Sequence, residues 1–435
     1  RAALKSNFSL NLNPVGYENT RRFDTRLSQW YTNETFTTGG TFQVQQPILL
    51  TDGVISLTNQ FSWQNNESIV EGLQNINQAF TNRLNLSLTQ PLFTYNRRKM
   101  QLKRLEMSFE NSGITYALQR LTLERNITSQ FYNVYMAKST LEISRGALEN
   151  DQKNYDIIKN KVDADLAAKE ELYQAEVNLA ESQSSVESAL VSLENAKDAL
   201  KQTLGLLLSE EIDVNAQIEV NPISINLDAA VESGLASRLE LRQREMNIET
   251  EELDMTVEKA RNEFSGEVRL SVGIQGDNKR FGNIYETPTQ SPTVSVSFTV
   301  PLFDWGEQKK RVKAQQTAQK IALLNQDNQK FDIELNIRQT WRSLENLRAN
   351  MAIEEKKVRN AQLTYDLNVT RYREGDLTGM QMSQFQNQLS SAKQSHTRSL
   401  INYKIELLNL KILSLYDFDN DRPIVPVKTL ENIDN

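Results

Sequence analysis

The feature that most restricts what this chain can fold into is a unit that occurs twice. Residues 84–99 read LNLSLTQPLFTYNRRK and residues 294–309 read VSVSFTVPLFDWGEQK: a short alternating run, then Pro-Leu-Phe, then the start of a very long helical stretch. A shift of 210 positions places Ser87 on Ser297, Pro91 on Pro301, Phe93 on Phe303, Glu124 on Glu334, Asn126 on Asn336, Ile127 on Ile337, Tyr155 on Tyr365 and Asp156 on Asp366. One gap-free register from 87 to 156 is an internal duplication, so 435 residues can build one elongated body rather than unrelated domains.

Proline marks out the helical territory. No proline lies between 92 and 221 or between 302 and 422, and a proline inside a helix costs about 3 kcal/mol. In the first gap residues 95–161 predict 67 residues of helix, on the order of 100 Å long. A break at Asp163-Ala164-Asp165 precedes a return helix over 166–204, with Gly205 as its C-cap. Leu172, Ala175, Leu179, Val186, Leu190, Leu193, Leu200 and Leu204 step by three, four or seven, the spacing of a coiled-coil seam. The second copy predicts a long helix over 306–372, a break at Glu374-Gly375-Asp376 and a return helix over 379–414. Pro91 to Leu166 is 75 residues and Pro301 to Leu377 is 76, so the two hairpins reach the same depth.

The other segments follow a period of two. Strands are expected over 6–13, 40–47, 54–63 and 82–90 in the first copy and over 266–275 and 292–300 in the second. Leu84, Leu86 and Leu88 alternate with Asn85, Ser87 and Thr89; Val268, Leu270, Val272 and Ile274 alternate with Arg269, Ser271 and Gly273. Small uncharged residues on the second face suit the wet lumen of a lipid-embedded barrel, and a soluble sandwich alternates in the same way. The first copy carries 50 extra residues between Leu12 and Pro91, compared with the interval from Val272 to Pro301. Within that excess, residues 41–63 read as an added β-hairpin around a Thr51-Asp52-Gly53 turn, placed either in the wall or against its rim. Residues 206–225 and 416–435 are less regular, with strand-like pieces at 212–220 and 424–427, and residues 227–264 are helical. The structural repeats are thus 1–225 and 226–435.

Composition narrows the class further. Hydrophobic content of 38% with aromatics at 8% implies a thin core, or one completed by partner subunits. A net charge of -7 without a basic block excludes a nucleic-acid footprint. No stretch approaches the roughly 18 apolar residues of a spanning helix, whereas a barrel strand needs only about 10 alternating ones. With no cysteine there are no disulfides, thiolate metal sites or cysteine nucleophiles. Residues 1–12 align with 261–272, where a long helix leads into the strand, so the natural precursor is expected to extend upstream of Arg1 and to carry an export signal there.

Strand, Pro-Leu-Phe, long helix, break and heptad helix, all twice, resemble the TolC-like outer-membrane efflux protein family. The residues that carry the likeness are Pro91-Leu92-Phe93, Pro301-Leu302-Phe303-Asp304-Trp305-Gly306, Arg371-Tyr372-Arg373-Glu374-Gly375, and Asp165-Leu166 followed by Leu172, Ala175 and Leu179. The resemblance implies an α+β membrane protein: a trimeric transmembrane β-barrel continuous with a long periplasmic α-helical coiled-coil barrel. It implies a homotrimer in outer-membrane lipid of a Gram-negative bacterium, docked on a periplasmic adaptor (membrane fusion) protein and an inner-membrane transporter. Its function would be passive conduction of substrate to the exterior, with no cofactor and no metal. The extra hairpin departs from the family's four strands per chain. The other class considered is a soluble periplasmic coiled-coil adaptor or scaffold, which carries one helical hairpin and no duplication.

Candidate site residues fall in two groups. At the tunnel entrance and adaptor-contact tips stand Asp163, Asp165, Glu171, Tyr372, Gly375, Asp376, Gly379, Gln381 and Gln384. The acids there either form a cation-attracting constriction or favour the helix dipole and keep the tip soluble. The family's acidic ring positions read Gln381 and Gln384 here, which favours the second reading. At the strand-to-helix joint stand Pro91, Phe93, Pro301, Phe303 and Trp305, an interfacial aromatic belt or a hydrophobic plug. No catalytic residue is expected: the single histidine, His396, lies on the apolar stripe of a helix and reads as a packing or groove residue.

Overall fold

The computed structural model describes residues 5–25, 28–70, 73–215, 223–418, 420 and 422–423. Six strands, β1 (Asn7–Asp24), β2 (Gln29–Pro47), β3 (Val54–Val70), β4 (Leu73–Leu92), β5 (Ser265–Asn278) and β6 (Thr289–Thr299), pair in chain order as one antiparallel sheet. Each copy ends its strands on the one that feeds a long helix, β4 before α1 (Arg97–Asp163) and β6 before α5 (Glu307–Glu374). Their hairpin partners are β3 and β5, so the first copy carries one additional hairpin. The expected 41–63 hairpin is the end of β2 and the start of β3, both inside the sheet, so by this pairing the additional hairpin is β1–β2, and among the described residues the sheet has six strands where the resemblance implies four.

The first four strands run 17 to 20 residues, well past the ends expected from alternation. The far ends of β3 and β4 are mostly polar on both faces, as in Asn65-Asn66-Glu67 beside Thr35 and Asn77. A period-two signal cannot appear where both faces carry polar side chains; the backbone ladder alone continues the strand. Pro14 falls in the single register shift of β1 on β2, between Asn13 and Gly16, where its missing N–H costs no ladder bond.

The helices keep the duplication to the residue. α1 and α5 begin at 97 and 307, and the return helices α2 (Lys169–Leu204) and α6 (Gly379–Ser414) begin and end 210 positions apart. Residues 227–264 form two helices, α3 (Leu227–Ser237) and α4 (Leu239–Ala260), divided where Arg238 turns extended. Asn226 caps α3 by accepting bonds from the Asp228 and Ala229 amides at 3.0 and 3.3 Å. No helix among the described residues is long and apolar enough to cross a membrane.

Two compact units emerge, Arg1–Asn111 with Arg244–Leu324 and Ser112–Gln243 with Asn325–Asn435, and each draws on both copies. The first holds the sheet. The second is mainly helical, and its described residues form three cores. One gathers Ala230, Leu241, Ile333, Ile337, Leu344, Tyr403 and Leu410; another gathers Val134, Leu141, Ala189, Leu193 and Leu200; the third gathers Ile158, Tyr365, Tyr372, Met382 and Leu389.

Two expectations need correction. The buried seam of α2 runs through Val186, Ala189, Leu193, Ala196 and Leu200, while Leu190 and Leu204 are exposed. Successive three-four steps tolerate either neighbouring stripe, and contact with Val134 and Leu141 of α1 selects one. The 212–215 part of the expected 212–220 strand is irregular, with Val214 buried and Asp213 held by the Lys138 ammonium at 2.9 Å; residues 216–220 and 424–427 lie outside the described residues. Of the C-terminal segment, Tyr416–Asp417 pairs with Arg422–Pro423 as a two-residue ladder.

Candidate functional site

Cross-strand pairing sorts the sheet's side chains into unbroken rows. One row runs Phe8, Val44, Leu57, Leu86, Val272, Pro292, and the adjacent row runs Asn7, Gln45, Ser56, Ser87, Ser271, Thr293. Successive residues of a strand point to opposite faces, so one face is apolar and the other polar across all six strands. The apolar row is not covered by the chain: Phe8 is 67%, Leu86 51% and Val272 62% exposed. Level with the end of β5 away from α1, midway along β3 and β4, Phe61, Trp63, Phe80 and Phe281 cluster with ring centroids 5.6 to 6.5 Å apart. At the end near α1, Phe264 lies 5.2 Å from Phe93 and 5.7 Å from Phe298.

The joint residues are displayed rather than packed away. Phe93 is 65%, Phe303 73% and Trp305 84% exposed, and the Phe303 and Trp305 rings meet edge to face at 4.8 Å. Within one chain these three side chains are therefore not buried. Phe93, Trp305 and Gly306 adopt positive φ, and the Asp304 carboxylate accepts the Gly306 and Gln308 amides at 2.8 and 3.0 Å to start α5. The bond from Gln308, then that from Gly306, holds the Asp304 carboxyl below its ordinary range.

At the tips, the two copies end their long helices alike. In the first, the Asp165 amide donates to Val162 O at 3.0 Å and the Leu166 amide to Lys161 O at 2.7 Å; in the second, Gly375 donates to Tyr372 O and Asp376 to Arg371 O. Both are Schellman ends with a left-handed residue, Asp165 at φ 58° and Gly375 at φ 93°. Asp163, Asp165 and Asp376 are exposed, while Glu171 is half-buried in the first turn of α2.

Three tip residues are engaged within the tip itself. Tyr372 is 3% exposed and belongs to the core with Ile158, Tyr365, Met382 and Leu389. Gln381 is bound in a capping box: its amide donates to Thr378 Oγ1 at 3.3 Å and its side-chain oxygen accepts the Thr378 amide at 3.0 Å. Gly379 opens α6 beneath Tyr372, where a Cβ would meet the phenol oxygen at 3.9 Å, an ordinary contact. Gln384 stays exposed. Replacing Thr378 by alanine is expected to cost about 1 kcal/mol, read as a lowered melting temperature of the helical signal.

Sequence periodicity did not single out the polar groups that join the two hairpins. Lys161 Nζ donates to Tyr372 O at 3.2 Å and stands 5.6 Å from the Tyr372 ring centroid. Asn150 donates to Gln386 at 3.1 Å, and within the first hairpin Ser182 donates to the buried Asp151 carboxylate. Burial raises the Asp151 carboxyl above its ordinary value against the lowering effect of that bond. Burial also pushes Tyr372 up to about 12, with Glu171 adding to it, and pushes Tyr365 up to about 12, with Asp151 and Asp366 adding. These phenols stay neutral in the folded tip, so their stabilisation is complete below pH 10.0 and lost as the pH rises through about 12. The expected result is loosening of the tip in that window, followed by tyrosinate absorbance together with helical circular dichroism. His396 lies half-buried on α6 with no hydrogen-bond partner for Nδ1, and among the described residues no group of His, Asp and Glu is placed to hold a metal ion.

A two-faced sheet joined twice to helical hairpins is the fold of the outer-membrane efflux channels. Residues 230–413 match the family model described as outer membrane efflux protein, and the resemblance read from the sequence holds. The Campylobacter jejuni CmeC outer membrane channel superposes with a TM-score of 0.70 at 15% identity, covering 100% of this chain and 81% of that one. The Neisseria gonorrhoeae MtrE outer membrane channel, solved in its open state, gives 0.67 at 14% identity over 94% and 81%. The Vibrio cholerae outer membrane protein VceC gives 0.65 at 13% over 94% and 87%. At these identities the likeness establishes the fold. Comparison with curated protein sequences gave no match.

Proposed function

We infer that the protein is the outer-membrane channel of an efflux system, the exit duct of a tripartite assembly. Three copies sit in the outer membrane of a Gram-negative bacterium, with the apolar rows against lipid and the polar rows around water. The helical hairpins extend into the periplasm towards an adaptor and an inner-membrane transporter, and conduction is passive. The observation that carries this reading is the paired rows Phe8 to Pro292 and Asn7 to Thr293, one apolar and uncovered, the other polar without a charge. Lipid is the environment in which an uncovered apolar row costs nothing. A soluble scaffold would have to cover Leu86 and Val272, and it would leave a long apolar edge strand open to aggregation.

The tips form the gate. Tyr372 and Lys161 hold α5 against α1, and opening untwists residues 160–176 and 371–386 while the sheet stays fixed. The test is twofold. The protein should need detergent for extraction from the outer-membrane fraction, and reconstituted in a planar bilayer it should give single-channel steps that Lys161→Ala enlarges or prolongs. Extraction by aqueous buffer, or no steps in either protein, would sink the reading.

A further inference from the structure

Resting on that channel reading, we propose that the additional hairpin is membrane wall: each chain lends all six strands, and three copies close a barrel of eighteen strands. Three observations carry it. The apolar row passes through β1 and β2 at Phe8 and Val44 without a break, and the polar row passes through them at Asn7 and Gln45. A hairpin lying against a rim would show no such continuity with the faces of β4 and β5.

The β2–β3 turn is also fixed at the level where the sheet meets α1. The Asp52 carboxylate accepts the Arg98 amide at 2.9 Å, Asn96 Nδ2 donates to Leu49 O at 2.7 Å, and Gln90 Nε2 donates to Thr51 O at 2.6 Å. The added strands therefore start at the same height as the strand that feeds the helix. Finally, six is even, so the free edges β1 and β6 run in opposite directions and β6 of one copy extends the ladder of β1 in a second copy antiparallel.

At a strand spacing of about 4.8 Å and a tilt of about 40°, eighteen strands enclose a ring about 36 Å across between backbones, against about 24 Å for twelve. The cross-section is about twofold larger. Cargo of larger girth than a four-strand-per-chain wall admits is the consequence.

The chain has no cysteine, so single cysteines report without background. Val44→Cys and Gln45→Cys on β2, and Leu10→Cys and Asn11→Cys on β1, are compared with Leu86→Cys and Ser87→Cys on β4. Each is labelled with a bimane and reconstituted in vesicles with brominated acyl chains; a parallel set meets a membrane-impermeant thiol reagent. The expected result is lipid quenching at positions 44 and 10 within about twofold of position 86, and aqueous labelling at 45 and 11 like that at 87. If 86 and 87 behave as stated while 44 and 10 escape lipid quenching, the hairpin is not wall and the inference falls while the channel reading stands. If position 86 is itself unquenched, both fall. The two added strands are probed separately, so one misfolded variant leaves the other to decide.

Discussion

Val272→Arg is expected to abolish assembly in the outer membrane, whereas Ser271→Arg, one residue earlier, should assemble and alter only ion selectivity. A guanidinium on the lipid face near the bilayer midplane costs about 2–4 kcal/mol, while one on the lumen face keeps its water. Val272 stands between Leu86 and Pro292 in the apolar row, and Ser271 between Ser87 and Thr293 in the polar one. The measurement is urea-dependent folding into lipid vesicles, supported by the yield of assembled protein in outer membranes. Equal losses for the two variants would point to a sheet with water on both sides, and the soluble scaffold would return as the better reading.

The second large effect lies in the helical unit. Ile337 is fully buried, in the core with Ile333, Leu344, Tyr403 and Leu410. Truncation to alanine leaves a cavity and is expected to cost about 2–5 kcal/mol, read as a lower midpoint of helical unfolding. Gly234 on α3 makes the coupling testable, because a Cβ there would lie 2.5 Å from Ile337 Cδ1. Gly234→Ala alone gains about 1 kcal/mol of helix propensity but strains that contact by about 1–3 kcal/mol. In the Ile337→Ala background the strain disappears and the gain remains, so the double variant should be more stable than Ile337→Ala. A strictly additive pair would show that α3 does not press on Ile337.

Much of the architecture was legible because it repeats a local period. The start of α1 and α5 after Pro-Leu-Phe, and the heptad returns to Gly205 and Leu415, follow from proline gaps and apolar spacing along one element. The alternation of Leu84 to Leu88 and of Val268 to Ile274 foretold two faces. What stayed hidden is what lacks a period: the polar far ends of β3 and β4, Lys161 on Tyr372, and Asn150 on Gln386. The cap at Gln381 was missed for a different reason: the resemblance named this position as part of a ring, and Thr378 three residues earlier binds its side chain as a cap. A Thr-x-x-Gln pattern ahead of an apolar run was visible in the sequence and could have given that assignment.

The sequence by itself determined the duplication, the long helices, the tip breaks and the two-sidedness of each strand. These depend on side chains a few positions apart, within reach of one turn or one pleat. Only the tertiary structure decided that β2 and β3 lie between β1 and β4 in one sheet, that Leu193 rather than Leu190 faces α1, and that Tyr372 is core. Each of those choices compares contacts between residues far apart in the chain. For Leu193 and Tyr372 burial against a distant partner makes the choice, and for β2 and β3 the backbone ladders with β1 and β4 make it.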